Sequence, residues 1–124
     1  MYEITVEATF NATHAILIKG EREPIHGHDW RVVVTLEGAE LDTEGLLCDF
    51  HEVESVLDQI ITPWRHAHLN DLVAFQGLEP TAERVSETLA RSLSKGLQGR
   101  LPDTARVARV AVTEAPGCVA TYLP

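Results

Sequence analysis

Cysteine is scarce in this chain, with two residues, Cys48 and Cys118, among 124. They lie far apart and neither belongs to a CxxC pair, which rules out a disulfide framework and leaves one bridge at most. Reduced thiols and a cytoplasmic setting are expected. Basic residues are also few: ten Lys and Arg stand against nineteen Asp and Glu, a formal net charge of -9. Neutralising a phosphate backbone needs a basic face, so nucleic acid is not an expected partner. A small anionic substrate needs only local positive charge, for which Lys19, Arg22, Arg65 and a metal ion are candidates. No apolar run is long enough to span a bilayer, and the first residues carry no charged-then-apolar leader. A soluble, unexported protein with no membrane partner is expected. The GxSxG elbow, the phosphate-cradling GxxxxGK loop and the dinucleotide fingerprint are all absent, which removes several enzyme classes. No repeat, low-complexity tract or linker divides the chain. Residues 1–124 are therefore expected to form a single domain, long enough to bury a core without a metal or a disulfide.

What the chain does have is a clean alternation at its start. Tyr2, Ile4, Val6, Ala8, Phe10 and Ala12 fall on one face of an extended strand, with polar residues between them, and His14 continues the apolar face. A second strand repeats the pattern, with His26, His28, Trp30, Val32, Val34 and Leu36 on one face. In an antiparallel hairpin, His14 near the end of the first strand lies opposite His26 and His28 near the start of the second. Three imidazoles then converge. Neutral imidazole nitrogen suits zinc, and three protein ligands leave the fourth tetrahedral position for water or substrate, as a catalytic site requires.

The remaining elements follow from periodicity and caps. Ala15 to Ile25 reads as an irregular loop, Gly38 to Gly45 as a turn, and Leu46 to Cys48 as a short strand. Asp49 is placed to cap a helix, with Glu52 completing a capping box. Val53, Val56, Leu57, Ile60 and Ile61 recur at helical spacing until Pro63 ends the run. A second helix starts near Thr81 after Pro80, buries Ala82, Val85, Leu89, Ala90 and Leu93, and stops at Gly96 or Gly99. Strands over about Arg106–Glu114 and Cys118–Leu123 are joined by Ala115, Pro116 and Gly117. The expected architecture is α+β: an antiparallel four-stranded sheet in ββααββ order with two helices on one face.

Three further groups carry candidate chemistry. Glu114 shares a face with Val110 and Val112, where a carboxylate needs a partner and could accept two N–H bonds from an amidine-like edge of a ligand. His66 and His68 follow a helix end and could carry protons near neutral pH. Glu23, three residues before His26, is placed to project over the metal as a general base.

In order along the chain, "FNATH", "HGH", "GLLCDF", "HAHLN", "PTAE" and "VTEAPGCVATY" resemble the signature elements of the 6-pyruvoyltetrahydropterin synthase and 6-carboxytetrahydropterin synthase family. The resemblance covers essentially the whole chain. It implies the tunnelling fold, a homohexamer of two trimers, and a lyase that acts on the side chain of 7,8-dihydroneopterin triphosphate in folate or queuosine biosynthesis. It further implies zinc on His14, His26 and His28, and a pterin ring anchored by Glu114. Thr81, Arg22 and Arg65 are the other candidate substrate contacts, and Cys48 and Cys118 match non-catalytic positions expected to be small buried residues. Two residues depart from the family pattern: Arg22 replaces a cysteine four residues before HGH, and Arg65 replaces the Asp preceding the histidine at 66. An arginine there lowers that histidine's pKa where a carboxylate would raise it. Glu23 resembles the folate-pathway branch, whose glutamate stands in for the cysteine and whose product is 6-hydroxymethyl-7,8-dihydropterin. The alternative reading is a zinc-containing pterin- or purine-binding homologue without turnover, in which the two arginines hold a triphosphate uncleaved.

Overall fold

The computed structural model describes residues 1–124. The chain runs β1 (Tyr2–His14), β2 (Leu17–Ile18), β3 (Glu21–Arg22), β4 (His26–Gly38), α1 (Phe50–Ile61), β5 (Ala67–His68), α2 (Ala82–Gly96), β6 (Ala105–Ala115) and β7 (Cys118–Tyr122). The main sheet has the order β5-β1-β4-β6-β7, antiparallel throughout except where β5 lies parallel to β1. The expected four-stranded antiparallel sheet is thus corrected to a mixed five-stranded one. The added strand is two residues long, too short to show a period. The loop after β1 is not irregular either, because β2 and β3 pair across Lys19 and Gly20. Both turn residues have positive φ, 53° and 81°, the geometry that matches the twist of a two-residue hairpin. Leu46–Cys48 forms no strand; Asp42 Oδ1 accepts from the N–H groups of Glu44 and Leu46 and holds this segment as a turn.

Strand alternation places the core. β1 and β4 pair from Tyr2 with Gly38 at one end to His14 with His26 at the other. Val6, Phe10, Ala12, Trp30, Val32, Val34 and Leu36 are buried on the inner face. Both helices pack there: α1 buries Val53, Val56, Leu57 and Ile61, and α2 buries Val85, Leu89, Ala90 and Leu93, all within one apolar cluster. Each fully buried side chain of this kind contributes about 1.5–3 kcal/mol. Asp49 caps α1 by accepting from His51 N–H at 2.9 Å, but Glu52 turns away to Arg100, so the capping box is only half formed. Pro63 lies in a 3₁₀ turn, Thr62–Trp64, directly after α1. At the other end of the helix pair Gly96 lets α2 approach α1, since a Cβ there would meet Val56 Cγ1 at 2.7 Å. No helix is long and apolar enough to cross a membrane.

Candidate metal centre

The inner face of the sheet ends in histidine. His14 is fully buried, and Trp30 packs edge-on against it with ring centroids 4.9 Å apart. Trp30 is fixed by stacking on Phe10 and by donating its indole N–H to Ala12 O at 3.2 Å. The register sets His26 opposite His14 and His28 opposite Ala12, two residues along the same face. His14, His26, His28 and Glu114 thereby offer ligand atoms that all lie within 4.8 Å of one another.

The tautomers follow from what holds the rings. His14 Nδ1 faces Pro80 O at 2.8 Å and His26 Nδ1 faces Pro24 O at 2.9 Å. A carbonyl only accepts, so each neutral ring keeps its proton on Nδ1 and a bare lone pair on Nε2. Those two Nε2 atoms face each other at 3.1 Å. With no proton between them the contact is repulsive unless a cation lies between the lone pairs. His28 Nε2 is buried with no hydrogen-bond partner, although Glu114 Oε1 is 3.3 Å away. Burial pushes the His28 pKa down, against the opposing pull of the Glu114 carboxylate. Glu114 Oε1 also lies 2.8 Å from His14 Nε2. Two nitrogen ligands of one tetrahedral zinc stand about 3.4 Å apart, close to the 3.1 Å between His14 and His26.

Behind the histidines lies a set of supports that sequence reasoning missed. Asn70 clamps Ala15, the residue after His14, with Oδ1 accepting from Ala15 N–H at 2.9 Å and Nδ2 donating to Ala15 O at 2.7 Å. Pro24 and Pro80, each preceded by a glutamate, supply the two carbonyls that orient His26 and His14. Such outer partners fix tautomer and ring orientation in metal sites. Glu23 Oε1 accepts from Ile16 N–H at 3.1 Å and stands 3.7 Å from His26 Nε2, which puts this carboxylate at the rim of the cluster.

The other sequence candidates lie elsewhere. Arg22 is taken up by an ion pair with Glu79 and by donation to Ala15 O at 2.9 Å. Thr81 caps α2, its hydroxyl accepting from Arg84 N–H at 3.1 Å. His68 Nδ1 meets Thr13 Oγ1 at 2.9 Å, and Thr13 points away from the face that carries His14. Arg65 donates to Thr9 O at 2.8 Å and pairs with Asp58 at 3.5 Å. It joins His66, Thr9, Asn11 and Asp29 in lining a cavity of 460 Å³. A neighbouring cavity of 510 Å³, which shares Thr9 and Asp29, reaches Gly27, His28 and Glu114. Neither His66 nor His68 bonds to the histidine cluster of its own chain. Cys48 is buried as expected, whereas Cys118 is exposed at the start of β7, and the two are not joined.

Residues 3–124 match the family model described as 6-pyruvoyl tetrahydropterin synthase. The chain belongs to this family. A 6-carboxy-5,6,7,8-tetrahydropterin synthase of Bacillus subtilis is 29% identical over 130 residues, covering 99% of this chain and 86% of the relative. Among solved structures, a Caenorhabditis elegans 6-pyruvoyl tetrahydropterin synthase superposes with a TM-score of 0.78 at 20% identity, covering 100% of this chain and 97% of that one. A Plasmodium vivax 6-pyruvoyltetrahydropterin synthase in which a catalytic glutamate is replaced by alanine superposes with a TM-score of 0.80 at 20% identity, covering 98% and 96%. The synthase fold is thus shared along the whole chain, including the ends of β1 and β4 where the histidines gather.

Proposed function

We propose that this synthase-family chain is a zinc-dependent lyase acting on the side chain of 7,8-dihydroneopterin triphosphate. The observation that carries the proposal is the pair of unprotonated Nε2 atoms on His14 and His26 facing each other, with the orphaned His28 Nε2 beside them. His14, His26 and His28 are the proposed zinc ligands. Zinc supplies Lewis acidity when bound, which lowers the pKa of coordinated hydroxyls. Glu114 is the proposed ring anchor: only its Oε1 lies against the histidines, which leaves acceptor capacity on the carboxylate for an amino group and a ring N–H. Glu23, already at the rim of the cluster, is the proposed base that accepts the side-chain proton. By its resemblance to the folate-pathway branch, a glutamate base adds 6-hydroxymethyl-7,8-dihydropterin to the pyruvoyl and carboxy compounds as a candidate product. The P. vivax relative, with its catalytic glutamate, supports a carboxylate in this role. His66 or His68 is proposed as the second proton carrier, supplied by another copy of the chain, since neither reaches the cluster of its own. The edge of β7 and most of one edge of β1 are unpaired, which supports side-by-side closure of sheets into trimers and a homohexamer.

Zinc-loaded protein incubated with 7,8-dihydroneopterin triphosphate is expected to yield a shortened or dephosphorylated pterin by mass spectrometry, and the mass identifies the product. Tight binding with no product over hours would reject the lyase and favour a pterin-binding homologue, a reading that Arg65 supports because no carboxylate stands in its place. Glu23→Gln is expected to lower turnover by about 10²–10⁴-fold, the usual weight of general base catalysis. His26→Ala is expected to lose its zinc, read by elemental analysis.

A further inference from the structure

The hairpin of β2 and β3 is braced at one cross-strand pair. Leu17 and Arg22 are register partners, and both are held by Glu79, which arrives from a segment far along the chain. Glu79 Oε1 accepts from Leu17 N–H at 3.0 Å and from the Arg22 guanidinium, while Oε2 takes a second guanidinium N–H at 3.3 Å. Arg22 also donates to Ala15 O, the same oxygen that Asn70 holds. The brace therefore grips β2 through its backbone, β3 through a side chain, and the residue after His14 through a carbonyl. Glu23 follows Arg22 directly. Its backbone N–H donates to Ile16 O at 3.0 Å and its carboxylate accepts from Ile16 N–H, so its placement depends on Ile16 and its neighbours staying where they are.

We propose that Arg22 and Glu79 are positioning residues, fixing the hairpin so that the Glu23 carboxylate stands over the histidine cluster. The proposal rests on the assignment of Glu23 as base and gives Arg22 a task other than holding substrate phosphate. The Arg22 side chain is about half exposed, and an isolated ion pair at such exposure contributes little. This pair differs in being bidentate and in sharing its carboxylate with a backbone N–H, which gives it a fixed direction. A thiol at position 22 could not reach across to a carboxylate with two donors. Arg22 thus stands beside the proposed base at the next position as part of the clasp that holds it.

Two measurements on the full-length zinc-loaded chain decide the matter. The first is steady-state turnover of 7,8-dihydroneopterin triphosphate by Arg22→Met, Glu79→Gln and the double variant. A displaced base is expected to lower kcat by about tenfold to a hundredfold with KM little changed, as small misplacements do. The double variant is expected to be no worse than the poorer single one, because both remove one unit. Arg22→Lys should recover part of kcat through its charge. The opposite pattern, a raised KM in Arg22→Met with Glu79→Gln unaffected, would show a phosphate ligand and overturn the proposal. The second measurement is amide hydrogen exchange at Ile16 and Leu17, which does not depend on activity. Exchange at Leu17 is expected to quicken by about tenfold in Glu79→Ala, which removes its acceptor, the weight of one lost hydrogen bond, and exchange at both amides is expected to quicken in Arg22→Met, where Glu79 loses the partner that holds it. Unchanged exchange would overturn the brace. A wild-type chain that exchanges slowly at these amides but makes no product would overturn the lyase assignment and leave the brace standing.

Discussion

Asn70 shows how much one side chain can fix. Its amide uses a donor and an acceptor on the same residue, Ala15, and so sets the direction in which the chain leaves His14. Asn70→Ala is expected to cost about 1–3 kcal/mol in chemical denaturation, since the partly buried Ala15 N–H loses its partner while Ala15 O keeps only Arg22, and to weaken zinc binding in the same variant. The thiols separate by environment in a comparable way. Burial and the neighbouring Asp49 carboxylate push the Cys48 thiol up, while Cys118 is exposed. A thiolate-selective alkylating agent at pH 8 is expected to label one cysteine per native chain, Cys118, and both in denaturant. The three histidines were legible in the sequence because strand alternation is a local, period-two pattern that phases them with Phe10 and Trp30. Asn70 and Glu79 were not. Their partners lie 55 and 57–62 residues away, and no local spacing announces a bond across that distance.

Among the elements, the helices were readable because their apolar spacing agrees with their start signals, Asp49 as the cap of α1 and a start near Thr81 for α2. The Glu52 arm of the capping box failed for a tertiary reason: Arg100 offers it a charge partner. The hairpin was missed because its turn is Lys-Gly, where Asn-Gly is the strong signal. β5 was missed because it exists only by virtue of the β1 edge beside it. Gly96 gives a test at this scale. In an open helix, Gly→Ala adds about 1 kcal/mol of stability, but here the new methyl would collide with Val56 Cγ1. Gly96→Ala is therefore expected to lower the denaturation midpoint, and Val56→Ala in the same chain is expected to remove that extra loss.

For the molecule as a whole, acid is the condition to watch. Glu3, Asp49, Glu79 and Glu87 all titrate below the usual carboxylate range: Arg109 holds Glu3 down, the His51 backbone N–H Asp49, Arg22 Glu79, and Arg91 with Arg84 Glu87. Each binds fewer protons folded than unfolded, so its contribution is complete above the ordinary carboxylate pKa and disappears as pH falls through the lowered one. The contribution of these carboxylates to the urea midpoint is expected to be constant from neutrality to about pH 5 and to fall below about pH 4, more gently at high salt because these groups are exposed; His28, whose pKa is lowered from 6.5 by burial, adds a smaller loss as pH falls below that value. One short stretch then gains a meaning that no single contact gives it. Glu79 grips the hairpin, the Pro80 carbonyl accepts from His14 Nδ1–H and Thr81 starts α2, three tasks on three successive residues. Because the three are consecutive in the chain, a shift at one would be expected to displace the other two. An ion drawn in by His14 would stiffen the first turn of α2, and a chelator would slacken it. The Arg84 amide, capped by Thr81, would then serve as a built-in gauge of metal loading, readable by its exchange rate from a position outside the histidine cluster.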